Sequence, residues 1–137
     1  MCQARDVMSS RVITIRADAT IEEAIATLLE HQISGTPVVD DRQRLIGIIT
    51  EFQLLEAVYT PEIKLRHVRD SMTTDVMTVS EDASLSEIAT LFVVHRIRRI
   101  PVVRNDKVVG IVTRRDLLQH IMAPQQDSDE AGLLQEV

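Results

Sequence analysis

Residues 95–103 read HRIRRIPVV and residues 110–116 read GIVTRRD, and each stretch has a similar counterpart earlier in the chain. The earlier copies are HQISGTPVV at 31–39 and GIITEFQ at 47–53. A fixed repeat in the sequence indicates a repeated structural unit, and finding it precedes any assignment of helices and strands. The chain is therefore interpreted as two copies of one unit of roughly 50 residues.

Each copy predicts the order β-α-β-β-α. Short β-branched runs favour strands, and Thr20 followed by Glu23 predicts a capping box that opens a helix, a device repeated at Ser84 and Glu87. A polar turn between two apolar runs indicates a hairpin. The first copy is predicted to have strands at 12–15, 36–40 and 45–50 with helices at 20–31 and 50–59, and the second to have strands at 76–79, 100–104 and 107–113 with helices at 84–95 and 114–122.

The repeat also predicts the domain organisation. One copy offers too little core to fold alone, so we expect an α/β (α+β) fold in which two copies pack sheet to sheet with pseudo-twofold symmetry. Such packing leaves two equivalent clefts at the seam. The expected segments are repeat 1 at 4–59, a linker at 60–67, repeat 2 at 68–122 and an acidic, disordered tail at 123–137.

Composition narrows the function classes. No apolar run approaches the roughly 20 residues that span a membrane, and the single cysteine, Cys2, excludes an internal disulfide and suits a reducing cytoplasm. A net charge of -6 argues against general affinity for nucleic acid or anionic membrane. Residues 96–116 nevertheless hold seven Lys and Arg against two Asp. This local surplus favours a small anionic ligand.

The two copies in register resemble the cystathionine beta-synthase (CBS) domain pair, also called a Bateman module, over residues 4–122. The resemblance implies a regulatory module, not an enzyme, that binds AMP, ADP or ATP, the last with or without Mg²⁺. It also implies a homodimer that modulates an unidentified partner protein. No catalytic cofactor and no metal site are expected.

The resemblance further implies which residues form the nucleotide site. Thr113 and Asp116 would face the ribose, whose paired hydroxyls suit the two oxygens of a carboxylate. Arg98, Arg99 and Arg115 would reach the phosphates through their planar donor groups. The adenine would be held by five residues of the first copy, with Met8 at the edge: Ile13, Ile33, Ser34, Gly35 and Pro37. The whole expected set is Met8, Ile13, Ile33, Ser34, Gly35, Pro37, Arg98, Arg99, Ile111, Thr113, Arg115 and Asp116.

The copies differ at the ribose position. Gln53 stands where Asp116 stands in the second copy, and a neutral amide offers no charge assistance. We therefore predict one strong site per chain and a second that is weak or empty.

Simpler interpretations exist for the same residues. Thr113 with Asp116 fits a helix cap, the arginines fit a solvated face, and His31 and His95 fit helix C-termini. Other classes of function also stay open: an enzyme, a ligand-free interaction or dimerisation module, a binder of S-adenosylmethionine and, least favoured, a nucleic-acid-binding protein. The sequence lacks a Walker-type phosphate loop and a nucleophile elbow, which argues against the enzyme.

Overall fold

The computed structural model describes residues 2–124, so the predicted acidic tail lies outside the described residues from position 125 onward. Five helices and six strands alternate as two copies of the same unit. The helices are α1 Ala4–Val7, α2 Ile21–His31, α3 Glu51–Leu54, α4 Leu85–His95 and α5 Arg114–Met122. The strands are β1 Ile15–Arg16, β2 Gly35–Val39, β3 Leu45–Thr50, β4 Val79–Ser80, β5 Arg99–Arg104 and β6 Lys107–Thr113. Short 3-10 helices cover Leu55–Val58, Pro61–Leu65 and Val68–Asp70.

The strands form two three-stranded sheets with the same topology. In the first sheet β1 pairs parallel to β2, and β2 pairs antiparallel to β3. The second sheet repeats this order with β4, β5 and β6. The register shifts at the same place in both hairpins, between Val38 and Val39 and between Val102 and Val103. The duplication in sequence is therefore a duplication in structure, bulges included.

Each sheet has its own hydrophobic core, built from aliphatic side chains. In the first, Ile21 and Leu28 of α2 pack with Val38 and Ile49 of the sheet. These side chains are almost fully removed from water, which provides the main driving force for folding. The second core is built in the same way, from Ile88 and Phe92 of α4 with Val102 and Val112 of the sheet.

The two units exchange their leading segments. Ala4 of the first copy is buried in the second core, whereas Val68 of the second copy is buried in the first. Ser9 then pairs with Ile111, and Thr73 pairs with Ile48, through reciprocal backbone hydrogen bonds of 2.8–3.0 Å. These matched exchanges give the pair its pseudo-twofold symmetry and make each half depend on the other.

A further bridge joins the sheets at the hairpin tips. Arg44 pairs with Lys107, and the amide of Leu45 donates to the carbonyl of Asp106 at 3.0 Å. The predicted fold class, tandem β-α-β-β-α repeats packed as a pair, is confirmed.

Helix α2 begins with the predicted capping box, whereas α4 has half of the one predicted: the amide of Glu87 donates to Ser84 Oγ at 3.1 Å without the reciprocal bond. The amide of Glu23 donates to Thr20 Oγ1 at 3.1 Å and the amide of Thr20 donates to Glu23 Oε1 at 2.8 Å, which confirms the capping box. Each helix stops at a non-glycine residue in the left-handed region, Gln32 and Arg96, both with φ 54°. That sharp stop turns the chain directly into β2 or β5 beside a cleft.

Several predicted boundaries were wrong. The first strand begins at Ile15, not at residue 12, because only Ile15 and Arg16 pair with β2. The carbonyl of Ile13 instead accepts a hydrogen bond from the hydroxyl of Thr36. The strand predicted at 76–79 is likewise reduced to Val79–Ser80, the residues that pair with β5.

The helix predicted at 50–59 is also shorter than expected. It is α-helical for one turn, Glu51–Leu54, and continues as the 3-10 helix Leu55–Val58. In the predicted linker, a second 3-10 helix buries Ile63 in the first core. The segment at 60–67 therefore contributes to packing as well as connecting the repeats. No helix within residues 2–124 combines the length and the apolar character that crossing a bilayer requires.

Candidate functional site

Two related clefts lie between the repeats. We name them the Arg115 cleft and the Phe52 cleft, after two equivalent residues that lie two positions beyond Thr113 and Thr50. Their volumes are about 470 and 490 Å³, within the range typical of small-molecule sites. Ten of the twelve predicted site residues line the Arg115 cleft: Ile13, Ile33, Ser34, Gly35, Pro37, Arg98, Arg99, Ile111, Thr113 and Arg115.

The Arg115 cleft has an apolar side. The residues after helix α2 supply Ile33 and Pro37, the segment before β1 supplies Ile13, and β6 of the other repeat supplies Ile111. None of these four side chains carries a charge or a hydrogen-bonding group. They offer a surface against which a flat, weakly polar ring can lie.

Thr113 and Asp116 form the cap of helix α5. The amide of Thr113 donates to Asp116 Oδ2 at 2.7 Å, and the amide of Asp116 donates to Thr113 Oγ1 at 3.2 Å. The capping interpretation is therefore confirmed. Within the described residues the other carboxylate oxygen, Oδ1, accepts no hydrogen bond, so Asp116 can cap the helix and still accept from a ligand.

Asp116 and Met8 are the two predicted residues outside the lining of the Arg115 cleft. Asp116 is half-buried in the first turn of α5. The side chain of Met8 packs over Gly110, where a Cβ atom would lie 2.8 Å from Met8 Cγ. Met72 covers Gly47 in the same way in the other repeat. The geometry favours packing for Met8, since a glycine of each sheet makes room for one methionine.

Arg99 lies at the centre of the module and lines both clefts. Its guanidinium crosses the bare backbone of Gly35, where a Cβ atom would lie 2.6 Å from Nη1, and donates to the hydroxyl of Ser34. Burial, with a smaller effect of Arg98, lowers the pKa of Arg99 from its ordinary value, while Glu51 opposes the change. An arginine still keeps its proton at neutral pH, so Arg99 is a fixed cation between the clefts.

Two further arginines line the Arg115 cleft, Arg11 and Arg114. They join Arg98, Arg99 and Arg115, and no carboxylate of residues 2–124 lines the cleft. None of the five forms an ion pair with another described residue. The prediction omitted Arg11 and Arg114 from the site. A comparison of charges at equivalent positions of the repeats would have singled out both residues, but only the fold places Arg11 at the cleft.

The Phe52 cleft has a different character. Arg96, Arg98 and Arg99 line it together with Glu51 and Asp75, so its charges nearly cancel.

The residue that replaces the ribose carboxylate, Gln53, is already engaged. Its Oε1 accepts from the amide of Thr50 at 2.8 Å and from the Thr50 hydroxyl at 2.5 Å. Its Nε2 donates to Thr73 Oγ1 at 2.7 Å. An amide with both ends occupied has little capacity left for a sugar hydroxyl, which supports the predicted inequality of the two clefts.

The CBS domain model matches the chain twice, at residues 4–60 and 65–123. The chain belongs to the CBS domain family and carries a CBS domain pair.

The chain is similar to solved CBS pairs with bound adenosine compounds. It superposes on CBSX2 from Arabidopsis thaliana, in complex with AMP, with a TM-score of 0.80, 27% identity and coverage of 89% of this chain and 97% of that one. It superposes on the CBS pair of protein MJ0100, in complex with 5′-methylthioadenosine and S-adenosyl-L-methionine, with a TM-score of 0.79, 31% identity and coverage of 89% and 97%.

Among curated relatives, the inosine-5′-monophosphate dehydrogenase of Methanocaldococcus jannaschii is 38% identical over 133 residues, which is 96% of this chain and 26% of the dehydrogenase. The chain spans about a quarter to two fifths of the length of the first curated relatives it matches. What is shared is the CBS pair, and the similarity covers too little of the dehydrogenase to transfer its activity.

Proposed function

We propose that the protein is a regulatory module that binds an adenosine nucleotide, AMP, ADP or ATP, in the Arg115 cleft. The observation that carries this proposal is the convergence of ten predicted residues from both repeats on one cleft. The cleft combines an apolar side for a base, the Thr113–Asp116 turn for a ribose and arginines for phosphates. A nucleotide requires all three features at once.

The charge of the cleft favours a nucleotide over S-adenosylmethionine. Phosphates are attracted by arginines, which bind them through directed, charge-assisted hydrogen bonds. The five arginines would instead repel a sulfonium and an ammonium group, since the described part of the chain adds no carboxylate to the lining. The relative in complex with AMP supports the first choice. The relative in complex with S-adenosyl-L-methionine makes the second the alternative to be tested.

The proposed role is regulation of a partner protein in the cytoplasm, without catalysis by the module. The similarity to the dehydrogenase covers 26% of that enzyme, the part that corresponds to the CBS pair. Ligand binding at the seam between two interlocked repeats can change how the halves fit together and so alter a surface offered to a partner. We assign no catalytic cofactor; Mg²⁺ would enter only with ATP.

Calorimetric titration tests the proposal directly. Adenosine, AMP, ADP, ATP with and without Mg²⁺, and S-adenosylmethionine are titrated into the purified chain at low salt, and ATP turnover is measured in parallel. We expect nucleotide binding to one strong site and no turnover. Binding of S-adenosylmethionine alone would shift the ligand class, and absence of binding by all of these compounds would favour the pure interaction module.

An exposed apolar surface favours a homodimer in addition to ligand binding. Phe52 and Tyr59 are 83% and 86% exposed, and Leu118 and Met122 of α5 are also largely exposed. Exposed apolar side chains concentrated on a few helices mark interaction surfaces, and CBS pairs are expected to associate as discs. Sedimentation velocity of the chain and of the Phe52→Ser, Tyr59→Ser variant tests this: the dimer should weaken in the variant, and a monomeric unmodified chain would contradict it.

A further inference from the structure

Charge is inverted at two equivalent positions of the repeats. Arg11 of the first copy corresponds to Asp75 of the second, and Arg114 of the second corresponds to Glu51 of the first. All four line a cleft: the two arginines the Arg115 cleft, and the two carboxylates the Phe52 cleft. The inversion therefore concerns the two candidate ligand sites and not distant surfaces.

The inversion leaves the Arg115 cleft with more cations than one phosphate requires. A single phosphate group carries about -1.5 to -2 charges at neutral pH, and Arg98, Arg99 and Arg115 already match it. Arg11 and Arg114 are two cations beyond that need, and both are exposed at the cleft. Cations beyond those that neutralise one phosphate favour the binding of a ligand that carries additional phosphate groups.

We infer that the Arg115 cleft selects nucleotides with two or more phosphates and that Arg11 and Arg114 are the residues that determine this selection. The inference rests on the proposed function and extends it from adenosine nucleotides in general to di- and triphosphates. The Phe52 cleft, with Asp75 and Glu51 at the same positions, repels the added phosphates. The two clefts thus differ in the length of the phosphate chain that they tolerate.

The effect should depend on salt. Arg11 and Arg114 are exposed, so salt screens their attraction for a phosphate, which decays over a Debye length of about 8 Å at physiological ionic strength. Arg99 is half-buried and is screened less. Added salt should therefore reduce the preference for ADP over AMP, while the attraction of Arg99 for the first phosphate persists.

The test transplants the charges of one cleft into the other. The variant Arg11→Asp, Arg114→Glu gives the Arg115 cleft the residues that the Phe52 cleft carries. The matched control is Arg42→Asp, Arg66→Glu, which changes the net charge equally through exposed side chains outside both clefts. AMP, ADP and inorganic tripolyphosphate are titrated into all three proteins at low salt with EDTA present.

We expect ADP to bind the unmodified chain about tenfold more tightly than AMP, which corresponds to two screened contacts. The transplant should weaken ADP more than it weakens AMP and so bring this ratio close to one, while the control keeps the ratio. If the ratio of the affinities for ADP and AMP is the same in the transplant and in the unmodified chain, the inference is overturned. If no adenosine compound binds, the proposed function fails by itself. Tripolyphosphate binding lost in the transplant would then support the polyphosphate site, and binding retained would overturn it.

Discussion

Replacement of Asp116 separates a ligand contact from a helix cap. Asp116→Ala removes both the bond from the Thr113 amide to Oδ2 and the oxygen Oδ1 that faces no described partner. Hydrogen bonds to a charged group contribute about 1.5–3 kcal/mol, so we expect nucleotide affinity to fall about 10- to 140-fold. Asp116→Asn keeps an oxygen for the cap but loses the charge, so its affinity should fall by a smaller factor, about 5- to 10-fold.

The assay is calorimetric titration with AMP and ADP, accompanied by thermal unfolding. Thermal unfolding separates the cap from the ligand contact, because Asp116→Asn should unfold close to the unmodified chain whereas Asp116→Ala unfolds earlier. Gln53→Ala is the matched control in the other repeat. It removes the bonds to Thr50 and Thr73 and should reduce stability without reducing affinity at the strong site.

A folded Asp116→Ala variant with unchanged affinity would refute the ribose assignment and leave Asp116 as a cap alone. An equal loss of affinity in Gln53→Ala would show that the loss reflects stability and not contact with the ligand.

Further expectations concern stoichiometry, charge, packing and pH. Titration should give one strong site per chain, and two equal sites would contradict the difference between the clefts. Arg99→Gln, Arg115→Gln should reduce the advantage of AMP over adenosine without weakening adenosine, each lost contact contributing about 1.5 kcal/mol. Equal affinities for AMP and adenosine in the unmodified chain would show that both arginines are only surface charges. Gly35→Ala should displace the Arg99 guanidinium, because its Cβ would lie 2.6 Å from Nη1, and weaken AMP more than adenosine. Hydrogen bonds from the amides of Arg44 and Arg42 and from the Arg44 side chain hold the pKa of Asp40 below 3.8. Its stabilisation is therefore present above that pH and lost as pH falls through the folded pKa, so urea midpoints of the chain and of Asp40→Asn should differ at pH 7 and converge in acid.

The sequence by itself determined the architecture, because the evidence for it is local and duplicated. The capping pair Thr20 and Glu23, the proline-containing strands and the polar hairpin turns each encode their element over a few neighbouring residues. Two copies in register repeat that evidence, and the pairing Pro37↔Ile48 reappears as Pro101↔Ile111. The resemblance to CBS pairs then predicted twelve site residues, ten of which line one cleft.

Some features of the protein were decided only by the tertiary structure, because they depend on contacts between residues far apart in the chain. The first strand of each repeat was predicted three residues too early, since β propensity cannot indicate which residues reach a partner strand. The exchange of Ala4 and Val68 between cores, and the packing of Met8 over Gly110, join segments from different repeats. Arg11 is isolated from the other arginines in the sequence, and only the fold brings it to their cleft. The charge of a site is a sum over neighbours in space, and the chain specifies those neighbours only by folding.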